Sequence, residues 1–245
     1  MSTNLHHWAI VQDAKKKGAK VVVIDSYKSR TAKQADWHIQ PKPGSDGALA
    51  MAIINHIIFN DLIDEDYIKN YTLGFDELKN HAVDKDAEWA SKITGINSND
   101  IQKLAYEIAT NQPVGIRIGV ALERHYGGGQ TIRAVTCIPA LTGSWKHVGG
   151  GITQFPVWEH PYKFDVICRP DLIPKKTRVI NALQIGRALL GENIEKNNPI
   201  MSMMCWNANP VTQAAETEKI IKGLEREDLF LVSAEHFISD TASYA

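Results

Sequence analysis

Runs of β-branched residues that alternate with helical stretches most constrain what this chain can fold into. Residues 20–25, 114–120, 200–206 and 229–232 read as short strands buried on both faces, which is the signature of parallel sheets. Between and around them, the spacing predicts helices. The first carries Trp8, Val11 and Ala14 on one face, with Lys15, Lys16 and Lys17 complementing the dipole and Gly18 as the stop. Further helices are expected over residues 46–60, 64–70, 87–93, 98–110, 130–141, 178–190 and 217–226, the one over 98–110 capped by Asn97. The fold class is therefore α/β with parallel sheets. A doubly wound sheet normally opens on a strand, so a helix feeding directly into residues 20–25 implies a missing first strand. The stretch from Gly149 to Pro174 carries four prolines and no clear period, and reads as a long loop and a domain junction. No internal repeat stands out.

Composition excludes several function classes. Lys plus Arg number 27 against 28 Asp plus Glu, a net charge of -1, so no global field points toward nucleic acid or an acidic membrane. The 3 cysteines are too few and scattered for a disulfide framework, an iron-sulfur site or a structural zinc site, which suits a reducing compartment. Nine histidines show no H-x-x-x-H or H-E-x-x-H spacing, so no protein-only metal site is expected. The longest apolar run, residues 48–62, is broken by Asn55, His56, Asn60 and Asp61 and cannot span a bilayer. The N-terminus lacks the plan of a signal peptide. The expectation is a cytoplasmic piece with no direct membrane insertion, although a longer parent could be exported.

Open parallel sheets bind ligands outside the carboxyl ends of their strands, so the residues just after each strand carry the candidate chemistry. Asp25 and Ser26 follow the first strand. A carboxylate there can accept from a ribose hydroxyl or from the paired donors of guanine, or it can merely cap the next turn. Ser45 and Asp46 open a helix, where free N–H groups favour an anion; simple N-capping by Ser45 is the competing explanation. Gly119 and Arg124 lie in a glycine-containing strand-to-helix turn that does not spell G-x-G-x-x-G, a poor match to a nicotinamide site. Asn209, His236 and Thr241 follow the two strands of the second half. Cys137 and Cys205 sit in apolar surroundings and read as core residues.

Taken together, these stretches resemble the molybdopterin oxidoreductase family of the dimethyl sulfoxide reductase and formate dehydrogenase type. The resemblance rests on residues 18–25, Thr31-Ala32, residues 43–49, Thr72 to Leu78, residues 93–96, Arg133 to Gly143, Gly149 to Gly151, Asn209-Pro210 and Thr241 to Ala245, in that order and spacing. It implies a Rossmann-like dinucleotide-binding α/β domain over residues 1–152, then a junction loop and part of a second αβα domain over residues 153–245. It also implies bis-molybdopterin guanine dinucleotide with molybdenum or tungsten as cofactor. Asp25 and Asp46 would face guanine and ribose of one dinucleotide, with Ser26 and Ser45 beside them and Gly119 and Arg124 near its phosphates or pterin. Asn209, His236 and Thr241 would line the other. The iron-sulfur cysteines and the metal's protein ligand would lie upstream of these residues and a last cofactor-binding domain downstream. The chain is then an internal fragment that does not turn over alone. Its implied partners are those N- and C-terminal domains and an electron-transfer iron-sulfur subunit.

Two departures stand out. The family usually writes Asp-Pro-Arg where this chain has Asp25-Ser26-Tyr27, and a second glycine expected after Gly119 is Ala121. They leave room for a non-catalytic scaffold of the same fold, as in the large iron-sulfur subunit of respiratory complex I. An ordinary nucleotide-binding domain is a third reading, disfavoured by the missing glycine fingerprint. Formate dehydrogenases of the family place an arginine and Gly-Gln-Asn-Asn after the closing glycine turn. Here Phe155, Pro156 and Trp158 follow Gly151 and no arginine comes before Arg169, which implies a substrate other than formate.

Overall fold

The computed structural model describes residues 4–154, 162–194 and 198–245. It divides into two compact units, Met1–Tyr162 and Lys163–Ala245. The strands that the β-branched runs predict are present, and every pair is parallel, giving three separate two-stranded sheets among the described residues.

In the first unit, α1 (Leu5–Lys16) runs into β1 (Val22–Ile24), and β2 (Trp37–Ile39) pairs with it in the register Val22 to Trp37. A parallel return strand was hidden in residues 37–39 because three residues are too few to show a period of two. The core is organised by α2 (Asp46–Phe59), whose apolar residues cover nearly every face, so it is buried all round rather than laid on a surface. Ile53, Ile54, Ile57 and Ile58 are at most 4 % exposed. Around α2 pack α3 (Glu65–Tyr71), α4 (Phe75–Ala82), α5 (Ala87–Thr94) and α6 (Ser98–Thr110), of which α4 has no counterpart in the sequence expectation. Asp64, Asp86 and Asn97 cap α3, α5 and α6 with their side chains.

The chain then forms β3 (Gly115–Arg117), α7 (Gly128–Leu141) and β4 (Gly151–Thr153), with β3 and β4 parallel. Residues 149–153 were expected to begin a loop; instead Gly151 starts a strand in a left-handed conformation, φ 99°, with the Trp145 ring against the place a Cβ would occupy.

The second unit holds α8 (Phe164–Cys168), α9 (Ile185–Leu189), β5 (Ser202–Trp206), α10 (Pro210–Gln213), α11 (Thr217–Leu224) and β6 (Phe230–Ala234). One expectation is corrected here. Residues 178–190 do not form one helix: the Asn181 side chain accepts from the Leu183 N–H and opens a 3-10 turn, and only Ile185–Leu189 is α-helical. Asn181 competes locally with the helix, and Gly191, φ 80°, ends it. The small core is Leu189, Val211, Ile220 and Leu224. The opposite face of the β5–β6 pair presents Met204, Trp206 and Phe230, exposed by 62, 77 and 69 %.

Candidate functional site at the strand ends

The carboxyl ends of β1 and β2 bring the first group of candidates together. Asp25 donates its N–H to the Ile39 carbonyl at 3.1 Å, extending the ladder by one rung. From β2, a ring nitrogen of His38 lies 3.0 Å from the Asp25 carbonyl, and the Gln40 side-chain amide donates to the Ser26 carbonyl at 2.9 Å. Ser26 is exposed and Asp25 half-buried. The Asp25 carboxylate accepts the Tyr27 N–H at 3.5 Å, a long and weak turn contact.

From β2 the chain leads through Gly44, φ 79°, into the first turn of α2. Ser45 precedes that helix but does not cap it: its hydroxyl donates back to the Lys42 carbonyl at 2.6 Å. The capping explanation for Ser45 is thereby corrected. The N–H groups of Asp46 and Gly47 find no acceptor among the described residues. The N-terminus of α7 repeats the arrangement. It starts from Gly127, φ 72°, with no side-chain cap, and the N–H groups of Gly129 and Gln130 find no acceptor among the described residues. The two termini are neighbours. A Cβ on Gly44 would lie 3.5 Å from His125 Nδ1, and one on Gly47 would lie 2.9 Å from Thr131 Oγ1.

Gly128 is held still more tightly, because a Cβ there would meet the Leu122 carbonyl oxygen at 2.5 Å. That contact seats the turn carrying Arg124, which is exposed. Gly119, two residues beyond β3, is also exposed, and no atom of the described residues lies within 4 Å of the place a Cβ would take. Lys42, Arg124 and Arg133 are exposed cations on segments flanking the two helix starts. Two adjacent helix N-termini without side-chain caps, with cations on the same segments, have the chemistry that suits a phosphate-bearing anion.

The second unit reproduces the loop after β1 at the end of β6. In the first copy, the Ser29 N–H donates to the Tyr27 carbonyl at 2.8 Å, Lys33 N–H to Ser29, and Gln34 N–H to Thr31. In the second, Ser239 N–H donates to the Phe237 carbonyl at 2.9 Å, Ser243 N–H to Ser239, and Tyr244 N–H to Thr241. Ser29 and Ser239 each accept the N–H of an alanine, Ala32 and Ala242, at 3.3 Å. Asp25, Ser26, Tyr27, Ser29, Thr31 and Ala32 thus correspond to Glu235, His236, Phe237, Ser239, Thr241 and Ala242. This repeat escaped sequence inspection because only Ser, Thr and Ala are identical.

Thr241 is fully buried. Its hydroxyl donates to Asn209 Oδ1 at 2.7 Å and accepts the Val211 N–H at 3.1 Å, and its own N–H also goes to Asn209 Oδ1. Thr241 and Asn209 therefore position the loop relative to β5, with the Thr241 hydroxyl enclosed and His236 left exposed at the rim. In the first unit, Asn4 caps α1 by accepting the His7 N–H at 3.0 Å.

Other candidates fall away from this edge. Burial pushes the thiols of Cys137 and Cys205 up from their ordinary value, as suits core residues rather than nucleophiles. No group of His, Cys, Asp and Glu among the described residues could hold a metal ion. Among those residues no helix is long and apolar enough to cross a membrane. A hollow of about 310 Å³ in the second unit is lined by Lys176, Arg178 and Asn181, but Arg178 is engaged by the Asn198 carbonyl. Phe155, Pro156 and Trp158 lie outside the described residues.

Comparison with known proteins adds a separate line of evidence. Residues 4–245 match the family described as molybdopterin oxidoreductase. The chain is 43 % identical over 247 residues to the probable oxidoreductase YoaE of Bacillus subtilis, covering 100 % of this chain and 36 % of that protein. It is 27 % identical to the F420-dependent formate dehydrogenase subunit alpha of Methanocaldococcus jannaschii, over 96 % of this chain and 37 % of that one. Acetylene hydratase from Pelobacter acetylenicus superposes with a TM-score of 0.72 at 25 % identity, over 98 % of this chain and 37 % of its own. The chain thus spans about a third of the length of these relatives, 36 and 37 %.

Proposed function

The chain belongs to the molybdopterin oxidoreductase family, and on that premise we propose that it is the cofactor-binding central portion of a molybdenum- or tungsten-dependent oxidoreductase. In this reading each unit binds one molybdopterin guanine dinucleotide along the carboxyl edge of its strands. The observation that carries it is the convergence of the uncapped starts of α2 and α7. Gly44 and Gly47 bring the two helix ends together, and their N–H groups without an acceptor among the described residues suit phosphate oxygens.

The residues present fit such a group. Asp25 and Asp46 would accept from guanine or ribose, while Ser26 and Ser45 shape the turns that hold them. Gly119 leaves room for backbone approach, and Arg124 would neutralise phosphate or pterin charge. In the second unit, Glu235 and His236 would meet the other dinucleotide on a loop locked by Asn209 and Thr241. When bound, the metal and its dithiolenes supply the redox chemistry; this chain's residues orient the dinucleotides and exclude water. The metal's protein ligand and any iron-sulfur cluster would come from other parts of a longer polypeptide, so these 245 residues would not turn over alone. An electron-transfer iron-sulfur subunit is the proposed partner and the cytoplasm the proposed compartment.

The test is Asp46→Ala in the longer polypeptide. A carboxylate accepting from guanine makes charge-assisted bonds of about 1.5–3 kcal/mol each, so pterin and guanine nucleotide content should fall. Unchanged content would contradict the assignment.

A further inference from the structure

The two equivalent loops carry opposite charge. From Asp25 to Lys33, one carboxylate faces three cations, Lys28, Arg30 and Lys33. From Glu235 to Ser243 there are two carboxylates, Glu235 and Asp240, and no lysine or arginine. The backbones match hydrogen bond for hydrogen bond, so residue 30 in one loop occupies the place of residue 240 in the other: an arginine against an aspartate. Both are exposed. None of Lys28, Arg30 and Lys33 enters an ion pair among the described residues.

The surroundings deepen the contrast. The first edge adds Lys42, Arg124 and Arg133, while in the second unit the guanidinium of Arg187 is tied to Glu216 at 2.6 Å and Arg226 sits at the amino end of β6. There it pairs with Asp228 at 2.7 Å and donates to the Leu189 carbonyl at 2.6 Å. It cannot serve a ligand at the carboxyl end of a five-residue strand, roughly 16 Å away along the rise of such a strand.

We infer that the two loops are non-equivalent sites for a nucleoside diphosphate: the loop after β1 captures it by charge, and the loop after β6 repels it and binds it only through neutral donors. This rests on the nucleotide reading above and adds to it an order of occupancy, with the first unit filled first and in a salt-dependent way. The controlling pair is Arg30 and Asp240. Neither touches the core, so exchanging them alters the field and leaves the fold intact.

Guanosine diphosphate titrated into the 245-residue chain, followed by backbone amide NMR shifts, tests it. The inference expects shifts around Ser26 and Thr31 at low nucleotide, and around His236 and Thr241 only at much higher concentration. Raising salt from ~0.01 to ~1 M, which shrinks the screening length from about 30 to about 3 Å, should weaken the first site by screening attraction and strengthen the second by screening repulsion. Arg30→Asp should weaken the first site roughly tenfold, and Asp240→Arg should strengthen the second by a similar factor, since each reverses one charge and so changes the local charge by two units. Circular dichroism of the variants verifies the fold. Two sites of equal affinity and equal salt dependence in the wild-type chain, or variants without effect on bound nucleotide, would overturn the inference and leave the nucleotide reading standing. No shift at either loop, in wild type or in Asp240→Arg, would overturn both.

Discussion

The loops after β1 and β6 have the same hydrogen-bonded path but rest on very different foundations. The first stands in a unit whose core gathers half of the residues of α2 together with buried residues of α3, α5, α6 and α7. The second rests on Leu189, Val211, Ile220 and Leu224, and is fastened to its sheet by the Asn209–Thr241 hydrogen bonds. The two units thus differ in what accompanies the loop: a large apolar core in the first, and in the second a small core with one enclosed polar clasp. The two designs should fail in different ways.

The largest expected effect comes from striking each foundation. Ile54→Ala empties a site that is 0 % exposed and should destabilise the first unit by about 2–5 kcal/mol; Ile220→Ala, also at a fully buried site, should do the same to the second. Calorimetry should resolve two transitions, each moved by its own substitution. A single transition moved equally by both would break the comparison of two separately supported loops.

Next is the clasp. Thr241→Val removes the hydroxyl while keeping the shape, leaving the Val211 N–H without its acceptor in a buried place. A loss of about 1–3 kcal/mol is expected, with faster amide exchange from Ser239 to Ser243, and Thr241→Ser should restore most of it. Exchange unchanged in the valine variant would show that the second loop does not depend on the clasp.

Gly128→Ala sharpens the first design. The new Cβ would press on the Leu122 carbonyl at 2.5 Å and Glu123 Cα at 2.7 Å, both backbone, so the turn carrying Arg124 must move. Overpacking of this kind costs about 1–3 kcal/mol, and guanosine diphosphate binding at the first edge should weaken while the second unit is untouched. Retained affinity would remove Arg124 from the site.

Much of this was legible in the sequence, and the exceptions have physical reasons. The parallel α/β class followed from β-branched runs between helices, and the helix over Asp46–Phe59 was found to within a residue because its apolar content is so high. β2 and β4 were missed because three-residue strands carry no period, and β4 opens on a glycine run that reads as loop. The overlong helix over residues 178–190 came from counting apolar residues without weighing Asn181 as a local competitor. At the site, Asp25 and Ser26 directly follow β1, while Asp46 lies in the first turn of α2 and Arg124 in a 3-10 turn after β3. The enclosure of the Thr241 hydroxyl and the backward turn of Ser45 toward Lys42 depend on partners distant in the chain or on rotamer choice, which no spacing reveals.

The smallest expected effect separates the units by pH. Burial holds His56, in the first unit, below its ordinary value of 6.5, so the folded state resists its protonation. Stability of that unit should fall as pH drops below 6.5 and continue to fall until the lower folded value is passed. Asp64, held below 3.8 mainly by its hydrogen bond from Lys146, adds a further loss only in stronger acid. In the second unit Glu216 is lowered from 4.5 by its bond from Arg187, so its contribution persists down to that value. Thermal scans between pH 7.5 and 5 should therefore move the first transition and hold the second; the reverse order would contradict the assignment of the transitions.

The most direct test of the central claim is the amount of guanine nucleotide carried by the longer polypeptide that contains this chain. Acid hydrolysis of that protein, followed by chromatography of the released nucleotide, should give two equivalents of guanosine monophosphate per polypeptide, one for each strand-end loop. None, or a single equivalent at full metal content, would contradict the account.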